Sequence, residues 1–227
     1  MNAVYPLGTG SMCGNKEIEY STRLLRNFTN VEDMFVIGQP FEGLIHIPHT
    51  DNQAKAVNLW EKCYTACIDD RISDPFLFIN DDHYIIKPTD IENYPNYYSH
   101  RISQYPYKTF QFNGFTIDKH SHPYWKLVYK TEQILGDCLF FNVHCPVVIY
   151  KKRFIEVFEK YHAHIYEGEG MLLKTTYLNG LEGVQMDDYK TKRGETLSSI
   201  QHHCKDRHVF SSCDEMTNVP AFLDLQL

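Results

Sequence analysis

No apolar run in this 227-residue chain is long enough to cross a bilayer as a helix, so no membrane span is expected. The first residues, Met1-Asn2-Ala3-Val4-Tyr5, lack the charged and apolar regions of a secretion signal. Positive charge is also short: 22 Lys and Arg face 29 Asp and Glu, for a net charge of -7. That balance argues against a protein that grips nucleic acid by bulk electrostatics, though a local basic groove stays compatible with it. There is no internal repeat, no low-complexity tract and no Cys-x-x-Cys pair. The seven cysteines are scattered and odd in number, which reads as reduced thiols in a cytoplasmic protein. Cys63 and Cys67 share one helix face and read as core. What the chain does have is apolar and aromatic material, 43% and 14% of residues, ample for a packed core.

The first half alternates strand-like and helix-like segments. Ala3 to Leu7 is a short apolar start and Gly8-Thr9-Gly10-Ser11 a loop. Asn15 to Phe28 reads as a helix with Tyr20, Leu24 and Phe28 on one face. Met34-Phe35-Val36-Ile37, closed by Gly38, suits a strand buried on both faces. Leu44 to Ile47 is a second strand. Thr50-x-x-Gln53 reads as a capping box opening a helix that aligns Val57, Trp60, Tyr64, Cys67 and Ile68. Phe76-Leu77-Phe78-Ile79 is another buried strand. This order predicts an open, mostly parallel α/β sheet flanked by helices. In the second half, Tyr94 to Tyr107 reads as a long Tyr- and Pro-rich loop. Trp125 to Leu135 and Arg153 to Tyr166 read as helices, Leu139 to Val143 as a strand, and His208 to Ser211 as a last short strand. The chain is expected to form one domain, 1–227, with a soft division near residue 90.

Asn80-Asp81-Asp82 directly follows the buried strand Phe76-Leu77-Phe78-Ile79. Ligands of open α/β sheets bind at the carboxyl ends of strands. Hard cations such as Mg²⁺ take oxygen ligands and keep substrate phosphates in their shell. The run therefore suits a divalent metal and a diphosphate. The same residues are also ordinary turn formers, and physics of the sequence alone leaves the two readings level.

Four segments, in order, resemble the Stealth proteins, sugar-1-phosphate transferases of capsule synthesis and lysosomal enzyme tagging. Val4-Tyr5-Pro6-Leu7-Gly8-Thr9-Gly10-Ser11 resembles their opening V-Y-T-W-V-x-G-S. Ile18-Glu19-Tyr20-Ser21-Thr22-Arg23, followed by Met34-Phe35-Val36-Ile37, is similar to their L-R-Y-S-L-R helix and the strand after it. Phe78-Ile79-Asn80-Asp81-Asp82 matches their F-I-Y-L-N-D-D, and Asn142-Val143-His144-Cys145-Pro146 resembles A-H-M-P-H. The opening Trp is missing, and Val147 replaces the second His of the last motif. Small bacterial and phage sugar transferases share the same donor core.

The resemblance implies a GT-A-type (nucleotide-diphospho-sugar transferase) fold and a transferase using Mn²⁺ or Mg²⁺. It would move a sugar, or a sugar-1-phosphate, from a nucleotide-sugar donor to an acceptor hydroxyl on a glycan, a lipid-linked sugar or a modified nucleic acid. Residues 1–90 would form the donor and metal half and 91–227 the acceptor half. Asp82 would serve the metal and the chemistry, with Asp81 on the donor. Tyr5 and Leu7 would line the nucleotide site, with Arg23 facing the diphosphate. Lys55 and Asn58, near a helix start that favours anions, would help hold the donor. His144 would be the general base, because imidazole titrates near neutral pH. His208 and Asp214 are the candidates for a further metal ligand. Each assignment has a plainer counterpart: a surface arginine, a solvated helix face, a structural histidine, a turn aspartate. Glu167 and Glu169 read as a flexible acidic loop. The tyrosines of 94–107 are the expected acceptor surface. The alternatives in function are a non-catalytic nucleotide- or sugar-binding module and a metal-dependent phosphohydrolase or nuclease.

Overall fold

The computed structural model describes residues 1–9, 13–104, 111–112, 115–116, 122–213 and 216–227. The first strand, β1 (Asn2–Leu7), and the next, β2 (Met34–Gly38), run parallel and are joined by helix α1 (Lys16–Phe28). Strand β3 (Ile45–Ile47) adds in parallel outside β2. Helix α2 (Lys55–Ile68) returns the chain to β4 (Phe76–Phe78), parallel to β1 on its other side. After β5 (His83–Ile85), β6 (Tyr97–Tyr98), β7 (Gln111–Phe112), β8 (Phe115–Thr116) and α3 (Pro123–Leu135) comes β9 (Val147–Ile149). It closes the sheet antiparallel to β4, giving the order β3-β2-β1-β4-β9. The chain then forms α4 (Lys151–Ile165), α5 (Leu173–Tyr177), β10 (Val184–Gln185), α6 (Leu197–Cys204), β11 (Val209–Ser211) and α7 (Val219–Asp224). This is the open, mixed, mostly parallel sheet flanked by helices that the sequence predicts.

Alternation along the strands explains why both faces are covered. Val4, Phe35, Ile37, Phe76 and Phe78 face a layer built from α2 and α4, where Trp60 packs 5.2 Å from Phe154. Trp60 also donates its indole N–H to the Met171 carbonyl at 2.9 Å, which satisfies the one polar atom it buries. Ala3, Tyr5, Leu7, Val36, Leu77 and Ile79 face the opposite way, against Ile18 and Leu25 of α1. At the end of β2, Gly38 has φ 111, and a Cβ there would lie 2.1 Å from the Leu7 carbonyl oxygen. Only glycine lets β1 and β2 finish side by side at that edge.

Two local expectations are corrected. Helix α2 starts at Lys55, behind an Ala54 cap that makes no side-chain bond, so Thr50 and Gln53 form no capping box. The Asn58 side chain instead takes the Gln53 N–H at 3.0 Å and donates to the Gln53 carbonyl at 2.8 Å, fixing the entry to the helix. Residues 139–143 do not form a sheet strand; apart from a single bridge from Leu139 to Arg101 the segment is irregular. Phe140 exchanges backbone hydrogen bonds with Ser99 and His100, while the Val143 carbonyl and the following His144 N–H are taken by the side chains of Lys174 and Asp188. Among the described residues no helix is long and apolar enough to cross a membrane.

Candidate functional site

The carboxyl edge of β4 opens onto Asn80, Asp81 and Asp82, and β5 then turns away to pair antiparallel with β11. That pairing places Ser211 opposite His83 and brings its hydroxyl to Asp82, where it donates to Oδ2 at 2.9 Å. Lys190 donates to the same oxygen at 3.1 Å. Burial alone would push the Asp82 carboxyl up. The neighbouring cationic charge and the two hydrogen bonds outweigh it and hold the group below the usual carboxylate range. His83 is fully buried, and desolvation pushes its imidazole well down, so it is neutral at neutral pH. Its Nδ1 accepts the Asn80 N–H at 3.4 Å, which puts the ring proton on Nε2, 3.8 Å from Asp82 Oδ1.

Asp81 behaves in the opposite way. Burial first, then the charges of Asp82 and Glu17, push its carboxyl up to about 6, and a backbone hydrogen bond and then the charge of Lys55 offset this only in part. Glu17 is buried in the first turn of α1. Glu17 thus adds its charge to that of Asp82 beside Asp81, while Asp82 is itself paired with Lys190 and Ser211. Among the described residues no group of three or more His, Cys, Asp or Glu side chains is arranged to hold a metal ion. A hard cation fits this corner on the oxygens of the aspartate pair only if a substrate completes its shell with phosphate oxygens.

The second half of the site is a histidine held from two sides. The His144 backbone N–H donates to Asp188 Oδ1 at 2.9 Å, and its Nδ1 lies 2.7 Å from Asp188 Oδ2. Burial works against ionisation of Asp188, but the His144 bonds outweigh it and keep the carboxyl below its ordinary range. An ionised Asp188 fixes the proton on Nδ1 and leaves Nε2 as a basic lone pair. The buried ammonium of Lys174, in α5, donates to the Val143 carbonyl and, at 2.9 Å, to the Cys145 carbonyl. The residues on both sides of His144 are thereby pinned. His144 and Asp188 line a cavity of about 630 Å³.

Of the residues singled out by sequence, Asp81 and Asp82 stand at the end of β4 with the charge of Lys55 acting on Asp81, and His144 stands with Asp188 at the cavity. Leu7 ends β1 at the same edge, but its carbonyl is taken by the buried ammonium of Lys62 at 3.0 Å. Tyr5 is a core residue: fully buried, its hydroxyl 3.1 Å from Ser21 Oγ, and its phenol pushed up by that burial. Arg23 sits on the exposed side of α1, because that helix turns Ile18, Ser21, Thr22, Leu24 and Leu25 inward. Its charge meets Tyr20 rather than the acidic corner. Asn58 is occupied with Gln53, as described above. His208 lies at the far end of β11, its carbonyl accepting from Ile86 and its ring against Tyr94 and Tyr97, while Asp82 meets Ser211 at the near end. Asp214 lies outside the described residues, as do Tyr105 and Tyr107 of the expected acceptor loop.

Glu17, His83, Lys174, Asp188, Lys190 and Ser211 escape a reading of the sequence. One signal for Asp188 was present: Met186-Asp187-Asp188-Tyr189 repeats the pattern of an aspartate pair next to apolar residues seen at Ile79-Asn80-Asp81-Asp82.

No protein-family model and no curated protein matches this sequence. Among solved structures the chain is similar to 4-diphosphocytidyl-2C-methyl-D-erythritol synthase from Anaerococcus prevotii DSM 20548. The match has 9% identity and a TM-score of 0.41, over 82% of this chain and 86% of that one. What the chain does has therefore to be read from its own side chains.

Proposed function

We propose that this chain is a metal-assisted transferase that moves a sugar, alone or as its 1-phosphate, from a nucleotide-sugar donor to an acceptor hydroxyl. The observation that carries this reading is the His144–Asp188 pair facing a cavity, in a fold that also sets Asp81 and Asp82 at the carboxyl edge of β4. A bound Mg²⁺ or Mn²⁺ would be held by Asp81 and Asp82 and would neutralise charge on the departing diphosphate. Lys55, at the start of α2, adds a positive charge beside Asp81. His144 Nε2 accepts the proton of the acceptor hydroxyl as its oxygen attacks, and Asp188 stabilises the imidazolium so formed. Lys190 and Ser211 keep Asp82 ionised and aligned. The seven cysteines are all free, in keeping with a cytoplasmic enzyme.

The test is a donor screen by mass spectrometry with Mg²⁺ or Mn²⁺, run on the wild type, Asp82→Asn and His144→Gln. Consumption of one nucleotide-sugar, lost in both variants, is expected. Release of nucleoside diphosphate would mean sugar transfer, and release of monophosphate would mean sugar-phosphate transfer. If no donor is consumed, and none binds more tightly with metal than without, the proposal is wrong. Tight binding with neither hydrolysis nor transfer would leave a binding module.

A further inference from the structure

Three lysine ammonium groups bond to the sites described above, and one of them is held differently from the others. Lys62 is almost fully buried and donates to the Leu7 carbonyl at 3.0 Å and to Asp51 at 2.7 Å. Lys174 is spent on the carbonyls of Val143 and Cys145. Lys190 keeps 34% of its side chain exposed, and among the described residues its ammonium makes one bond, to Asp82 Oδ2 at 3.1 Å. An ammonium carries three N–H donors, so two of them remain for water or for another acceptor.

The main chain beneath Lys190 is fixed. It forms a parallel bridge with Ser211, in which the Ser211 N–H donates to the Tyr189 carbonyl at 3.2 Å and the Thr191 N–H to the Ser211 carbonyl at 2.9 Å. What is left to move is the flexible four-carbon side chain. Asp82 does not depend on that side chain for its place. The Ser211 hydroxyl donates to the same Oδ2 at 2.9 Å, and the Asp82 carbonyl accepts the Ser212 N–H at 3.1 Å. The other carboxylate oxygen, Oδ1, meets only the His83 ring, at 3.8 Å, among the described residues. Asp82 is thus anchored by neutral groups and neutralised by a movable one.

A carboxylate paired with an ammonium is a poor seat for a second cation. The incoming ion must displace the ammonium or share the carboxylate with it at a distance where like charges repel. A phosphate group changes that balance, because its oxygens accept from an ammonium as a carboxylate does. We propose that Lys190 is the resident counter-ion of Asp82, which keeps a divalent cation off that carboxylate until a phosphate group takes the ammonium over. Cation and phosphate then bind as a pair, each raising the affinity of the other. The proposal rests on the transferase reading for placing the cation at Asp81 and Asp82 and for assigning the phosphate to the donor. The pairing of Lys190 with Asp82 is independent of that reading.

The experiment measures Mn²⁺ binding to the full chain from the EPR signal of the free ion, with no nucleotide present. The samples are the wild type, Lys190→Met, Lys190→Arg, Asp82→Asn and the double variant Lys190→Met, Asp82→Asn. Lys190→Met should bind Mn²⁺ about fivefold or more tightly than the wild type, the lower end of a coupling between sites. Lys190→Arg should stay near the wild type, and the gain should vanish when Asp82→Asn is added. Inorganic phosphate at millimolar concentration should raise the Mn²⁺ affinity of the wild type more than that of Lys190→Met. The proposal is overturned by a Lys190→Met affinity within about twofold of the wild type, by no binding in either, by a gain that survives Asp82→Asn, or by an equal phosphate effect in both. If Lys190→Met loses the wild-type melting temperature, Lys190→Gln takes its place under the same criteria. The donor screen separates the two ideas. A donor consumed while Lys190→Met leaves Mn²⁺ binding unchanged sinks only this proposal. Tighter Mn²⁺ binding in Lys190→Met, with no donor bound or consumed, sinks only the transferase reading.

Discussion

Replacing Asp188 by Asn keeps the shape of the side chain and removes one of its two acceptors. In the native site one carboxylate oxygen takes the His144 backbone N–H at 2.9 Å and the other the ring at 2.7 Å. An amide can satisfy only one of these. If its oxygen serves the backbone, its NH₂ faces Nδ1. The ring proton must then move to Nε2, and the base is lost. If its oxygen serves the ring, two donors face each other at the backbone and the 143–145 segment shifts. Either way kcat should fall by about 10²–10⁴-fold, the usual contribution of a positioned general base, or roughly 3–5.5 kcal/mol of barrier.

The donor KM should stay within about twofold, because on the proposed reading the donor diphosphate would be held through a cation at Asp81 and Asp82 and not here. Stability should fall by about 1–3 kcal/mol, the cost of leaving a buried partner unsatisfied, read as a lower melting temperature. The sign in pH follows from the depressed carboxyl of Asp188. Its stabilisation is complete above the unfolded carboxylate value of about 3.9 and is lost as pH falls through the lower folded value. The gap between wild type and variant should therefore be flat from neutral pH down to about 5 and close in stronger acid. Turnover is followed by mass spectrometry with the donor found in the screen. The double variant Asp188→Asn, His144→Gln should be no slower than His144→Gln alone. A kcat kept within about threefold, or a loss confined to KM, refutes the role given to the pair.

Three further outcomes are expected. The Asp81 carboxyl is pushed up to about 6, so folding favours its protonated form. The stability this gives is present below about pH 4 and lost as pH rises through about 6. Asp81→Asn should therefore raise stability at pH 7.5 by about 1–3 kcal/mol in chemical denaturation, match the wild type near pH 4, and weaken cation-dependent donor binding. Gly38→Ala should cost at least about 3 kcal/mol, since its Cβ would meet the Leu7 carbonyl at 2.1 Å; a denaturation midpoint near the wild type would contradict this. Arg23→Ala should change stability by less than about 0.5 kcal/mol and leave donor affinity alone, as calorimetry would show.

The parts legible in the sequence are those set by local periodicity. The continuous apolar runs at 34–37 and 76–79 had to be buried strands, and the acidic run had to stand at the end of the second. The parts that were not legible depend on contacts between distant residues. Asp188 is 44 residues from His144, and Lys190 is 108 residues from Asp82. No spacing rule links such pairs. The misread strand at 139–143 has the same cause: its apolar pattern is real, but its pairing is confined to Phe140 with Ser99 and His100, and the Val143 carbonyl goes to the distant Lys174 side chain. Arg23, weighed between the diphosphate and a plain surface arginine, lies on the exposed face of α1. Periodicity shows that one face of α1 is buried, and position 23 belongs to the other.

The adjacent aspartates also divide their work in a way that the motif alone does not show. Asp82 has an ammonium and a hydroxyl on one oxygen, so its charge is already balanced. Asp81 has a backbone hydrogen bond and the charge of Lys55 against burial, Asp82 and Glu17, and these do not offset them. An arriving cation gains most beside the carboxylate whose ionised form the protein itself disfavours, because it relieves the repulsion as well as making its own bond. On the proposed reading Asp81 would be the residue whose charge state answers to a metal and a diphosphate, while Asp82 with Lys190 and Ser211 ties β5 and β11 to the end of β4.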